Sequence, residues 1–174
     1  MRDAISLDRV VEAHYEDRVN GGFFLTADDH ERLLARERPS YDGAEPAGSS
    51  VEILNLLRLS ELTTVEAYRR RAEHAFMPLG GVLRNSPAAV SETLLALDFF
   101  LDSAKEIVIV TKQSRAEAEL LARLRTTYVP NHVLLVTAEG SSLGEIGYFS
   151  PLVLGKKAGL NQPMAYVCKH GARK

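Results

Sequence analysis

Apolar positions recur with two different periods along this chain, and the change between them divides it. Leu7, Val10, Val11, His14 and Tyr15 recur at helical spacing, with Ser6 placed to cap, so an amphipathic helix is expected from Ser6 to about Asp17. Asn20-Gly21-Gly22 ends it. Phe23 to Thr26 suits a short strand and Leu33 to Arg36 a returning one, which predicts a β-hairpin near residues 22–37. After a polar loop the pattern becomes strongly helical. Ile53, Leu54, Leu56, Leu57 and Leu59 cover most of one helix, which must therefore be buried on nearly all sides. Val65, Tyr68, Ala72, Ala75 and Phe76 form the inward stripe of a second helix, with Arg69, Arg70, Arg71 and Glu73 on its solvated face. Val90, Leu94, Leu97, Phe100 and Leu101 form that of a third. Short gaps make these helices antiparallel neighbours.

At Lys105 the period changes. Ile107-Val108-Ile109-Val110 and Val133-Leu134-Leu135-Val136 are continuous apolar runs, as in strands buried on both faces. A helix with Ala116, Leu120, Leu121, Leu124 and Tyr128 on one side lies between them, giving a βαβ unit with parallel strands. Met164 to Cys168 is a further strand that can join the same sheet. The first turn of the unit, Thr111-Lys112-Gln113-Ser114, has no glycine and so lacks the dinucleotide fingerprint. No cofactor is expected.

Start signals sharpen the helices. Ser49 with Glu52, Thr63 with Glu66 and Ser114 with Glu117 each have capping-box spacing, and Ser86-Pro87 opens the third helix. The loop Tyr41-Asp42-Gly43-Ala44-Glu45-Pro46-Ala47-Gly48-Ser49-Ser50 concentrates carboxylates, hydroxyls and turn formers at the mouth of the buried helix, where ligand contacts commonly sit. Composition adds exclusions. A chain of 174 residues with 45% apolar and 25% charged residues is ordinary for a soluble protein, and a net charge of -2 gives no field for nucleic acid or an anionic membrane. The single cysteine, Cys168, precludes an internal disulfide framework and suits a reducing compartment. With neither a signal-peptide pattern nor a long apolar run, a cytoplasmic chain is expected. Asp28, Asp29, His30 and Glu31 are adjacent in a turn and read as solvated, so no metal is assigned there.

The order Gly21-Gly22-Phe23-Phe24, Asp28-Asp29-His30, Tyr41 to Pro46 and Gly48, then Asn55 to Leu59, Glu106 to Val110 and Ala165 to Cys168, resembles the C-terminal part of a known family. These are the large thioredoxin-domain proteins related to the spermatogenesis-associated thioredoxin-like protein. The family's loop reads Asp-Gly-Ala-x-Pro-Ser-Gly-Asn-Ser, with Ala47 and Ser49 standing here for its Ser and Asn. The resemblance implies an (α/α) six-hairpin barrel, similar to N-acylglucosamine 2-epimerases, preceded by a thioredoxin-like domain. The chain has no thioredoxin motif and too few helices to close such a barrel, which implies a fragment, a truncated homologue or one piece of a split protein.

The expected fold is mainly α with an α/β part: a partial (α/α) barrel over residues 1–103, then a small βαβ subdomain over 104–174. Two functions follow. In one, a carbohydrate-binding or epimerase-like site uses Asp42 and Glu45 as acid and base, with His30, Tyr41 and Ser49 binding a sugar. In the other, the chain is a non-catalytic scaffold that buries its remaining apolar faces against a second copy or against missing N-terminal domains.

Overall fold

A computed structural model describes residues 1–31, 34–112, 117–160, 162–169 and 172–173. The chain divides into two compact units, Met1–Ser60 with Val65–Leu101, and Glu61–Thr64 with Asp102–Lys174. Among the described residues, no helix is long and apolar enough to cross a membrane.

The first unit is helical. It contains α1 (Arg2–His14), α2 (Gly48–Thr63, whose last turn groups with the second unit), α3 (Glu66–Phe76), α4 (Gly80–Asn85) and α5 (Ser91–Leu101). Short 3-10 turns at Met77–Leu79 and Pro87–Val90 lead into α4 and α5. α2 is the spine, as its all-round apolar pattern requires: Ile53, Leu54, Leu56, Leu57 and Leu59 are all buried. Ala72 and Ala75 of α3 and Ala96 and Phe99 of α5 complete the core with Val90. On α5 the buried stripe runs through Thr93, Ala96 and Phe99, whereas Leu94 and Leu101, expected inside, are exposed. Small residues at 93 and 96 allow close approach, so the interior takes that face and leaves the larger leucines outside.

Two expectations about the N-terminal region are corrected. α1 begins at Arg2 rather than Ser6, and its inward residue is Asp8, while Leu7 and Val10 face solvent. No hairpin forms among the described residues near 22–37, Leu33 lying outside them. Phe23 and Phe24 bind back to the end of α1, through a single bridge between Glu16 and Phe23 and a 2.8 Å bond from Phe24 N–H to the Tyr15 carbonyl. Leu25 N–H meets Glu37 O at 2.8 Å. Gly21, at φ 82°, sits where a Cβ would be 2.2 Å from the His74 carbonyl oxygen, so the turn closes only with glycine there.

The second unit carries β1 (Lys105–Thr111), α6 (Ala118–Thr126), β2 (His132–Ala138), α7 (Ser141–Gly147), β3 (Met164–Lys169) and β4 (Ala172–Arg173). The sheet order is β2-β1-β3-β4. β1 and β2 are parallel, paired from Lys105 opposite His132 to Thr111 opposite Ala138, and β3 runs antiparallel to β1. The βαβ reading and the tail strand both hold. β1 is buried from Glu106 to Thr111, but β2 is an edge strand with Val133 and Thr137 buried and its other positions half-exposed. Val108 and Val110 pack on Leu152 and Val153, with Leu135, Ile146 and Tyr166 around them. The Ser114 cap and Ala116 fall outside the described residues, and Tyr128 lies exposed past the end of α6.

Candidate functional site

The side chains with the most perturbed chemistry lie in the first unit, where α1, α2 and α3 bring charges inside. Asp8, Glu12 and Glu16 are spaced four apart, so they form one stripe along α1 and its C-terminal extension. That stripe meets Arg71 of α3. Arg71 Nη1 donates to Asp8 Oδ1 at 2.9 Å and Oδ2 at 3.1 Å, Nε donates to Glu16 Oε2 at 2.8 Å, and Glu12 Oε2 lies 3.8 Å away. Arg71 was assigned to a solvated face, but its side chain is largely buried. Burial opposes its charge, yet the carboxylates of Glu16 and Asp8 outweigh that and raise its pKa. Asp8 is also raised, because burial outweighs the attraction of Arg71.

Glu52, in the second turn of α2, lies beside this cluster. Burial pushes its pKa up to about 7; the Asn55 hydrogen bond opposes the shift and the Asp8 charge adds to it. Its Oε2 accepts from Asn55 Nδ2 at 3.3 Å, whereas Oε1 is buried without a hydrogen-bond partner among the described residues. Burial and the negative charge of Asp8 both favour the neutral form of Glu52.

Glu52 and Ser49 are on the wall of a cavity of about 240 Å³, completed by Val11, Tyr15, Phe23, Phe24, Leu25, Pro39 and Gly48. Its surface is mostly apolar and aromatic with three polar side chains, the usual make-up of a small-molecule site. Arg36 stacks 4.0 Å from the Phe24 ring and donates to the carbonyls of His14, at 2.7 Å, and Thr26, at 2.6 Å, which fixes this wall.

The residues singled out from the sequence separate. Ser49 lines the cavity, but it lies within α2 rather than capping it, and its hydroxyl donates to the Phe23 carbonyl at 3.2 Å. Asp42 is outside the cavity lining. Its Oδ1 accepts the Ala47 N–H at 2.8 Å and its Oδ2 the Glu92 N–H at 2.9 Å, while its own N–H donates to Ala89 O at 2.7 Å. It thus ties the loop to the first turn of α5. Glu45, Tyr41 and His30 are exposed and do not line the cavity. Thr63 also fails as a cap: Val65 precedes α3 and no side chain caps it. Among metal-ligating groups, His14, Asp28 and Asp29 converge, with donor atoms within 4.8 Å of one another.

The Ser49–Glu52 spacing predicts a capping box and carries no sign of the raised pKa of Glu52. The signal available was the four-residue spacing of Asp8, Glu12 and Glu16, which gives α1 a charged stripe where its leucine and valines suggested an apolar one.

No protein-family model matches the chain. It is 28% identical over 171 residues, 97% of its length, to human spermatogenesis-associated protein 20, of which it covers 22%. The rat protein of that name is 30% identical over 135 residues, 76% of this chain and 17% of the rat one. The chain is related to these proteins at the family level. An uncharacterised Caenorhabditis elegans protein is 24% identical over 171 residues. The chain spans about a fifth of the length of the curated relatives it matches.

Proposed function

We propose that the chain corresponds to the C-terminal part of a thioredoxin-domain protein with a six-hairpin (α/α) barrel, and that its first unit supplies a small carbohydrate-binding pocket in which Glu52 transfers a proton. The observation that carries this reading is a half-buried carboxyl, its Oε1 enclosed and its pKa pushed up to about 7, on the wall of an aromatic cavity. An acid titrating close to working pH can both give and take a proton, as epimerase-like chemistry requires. Tyr15, Phe23 and Phe24 offer apolar faces to a sugar ring, and the Ser49 hydroxyl and Glu52 carboxyl offer polar contacts. Asp42 shapes the loop in this account; it does not react.

Sugars and sugar phosphates screened by thermal shift between pH 6 and 8 test the proposal. A sugar that stabilises the wild type and not Glu52→Gln supports it. Stabilisation undiminished in Glu52→Gln but lost in Glu45→Ala would return the site to the exposed loop.

A second reading rests on the outward face of α1, where Leu7 and Val10 stand exposed. In it the chain is a non-catalytic module whose α1 is covered by a second copy or by the remainder of a longer protein. Light scattering over a range of concentrations tests it: a dimer lost on Leu7→Glu is the expected outcome.

A further inference from the structure

We propose that His14, Asp28 and Asp29 form a binding site for a divalent first-row transition-metal ion. The three come from two separate pieces of chain, the last residue of α1 and the turn after Ala27. Their donor atoms nevertheless converge: His14 Nδ1 is 2.8 Å from Asp28 Oδ1 and 3.9 Å from Asp29 Oδ2. An ion with bonds of about 2.0–2.2 Å holds its ligands roughly 3–4 Å apart, so small side-chain rotations suffice to close all three on one centre.

The backbone beneath is already fixed. Asp28 N–H donates to the His14 carbonyl at 3.1 Å, and the same carbonyl accepts from Arg36. Two adjacent carboxylates face one imidazole, so the donor set carries negative charge that a divalent cation neutralises.

One imidazole nitrogen and two carboxylate oxygens suit Zn2+ or Mn2+ better than Mg2+, which prefers an all-oxygen shell with retained water. Three protein ligands leave further positions to water. The site would act as a clip, joining the end of α1 to the irregular segment that supplies Phe24 and Leu25 to the cavity wall. It stands whether or not the cavity binds a sugar.

Calorimetric titration of Zn2+ alone into the full, metal-free chain tests the proposal. One equivalent should bind, with affinity falling at lower pH because protons compete with the metal for its ligands. His14→Ala and Asp29→Asn should each weaken it about tenfold or more. Asp29 is an exposed turn residue, so Asp29→Asn keeps the fold even if His14→Ala does not. Tight binding of Zn2+ unchanged in both variants, or no binding up to about 1 mM, overturns the proposal.

Discussion

Arg71 and Asp42 show how single side chains fix the first unit. Removing Arg71 leaves Asp8 and Glu16 buried without their cation, and breaking such a pair costs about 3–5 kcal/mol. Arg71→Ala should therefore lower the urea midpoint sharply. Asp42→Ala removes an acceptor from two backbone N–H groups and should cost about 1–3 kcal/mol, also read by urea unfolding. Glu52 sets a pH dependence. Its folded pKa of about 7 lies above the ordinary 4.5, so the folded chain holds this proton more tightly than the unfolded chain. Its contribution is fully present below about pH 4.5 and is lost as pH rises to about 7. Glu52→Gln, which cannot ionise, should flatten that part of the stability profile and leave the variant more stable than wild type at pH 8.

At the scale of elements, outcomes follow from how strongly the local sequence constrains each one. Gly21→Ala should destabilise by about 1–3 kcal/mol in thermal or urea unfolding, since the turn needs positive φ and has no room for a Cβ beside α3. Val10→Glu on α1 should stay within about 0.5 kcal/mol, because that position faces solvent. The same contrast explains what could be read in advance. α2 and β1 were legible because unbroken apolar runs admit few placements. α1 was not: a face of Leu7, Val10 and Val11 reads as core unless Arg71, more than fifty residues away, is known to need Asp8 and Glu16. Among the described residues the hairpin is absent for a related reason. Phe23 and Phe24 have strand-like composition, but their backbone partner is the end of α1 rather than a second strand. Asp42 was noticed as chemistry because loop carboxylates often are, yet loop carboxylates equally often satisfy backbone N–H groups. Sequence spacing cannot choose between these without the position of α5.

For the whole molecule, the change of period near Lys105 coincides with the passage from a helical unit to one built on a sheet. The relation to spermatogenesis-associated protein 20 runs across both units, covering nearly the whole chain. In the proposed reading the first unit carries the chemistry, on one carboxyl poised near neutrality at a cavity wall. The most direct test is a 13C NMR titration of the Glu52 side-chain carboxyl in the full chain, from pH 4 to 9. A midpoint near 7, falling when Asp8→Asn removes the neighbouring negative charge, is the predicted result. A midpoint at the ordinary 4.5, unmoved by that substitution, would contradict the account and leave the cavity without an acid or base.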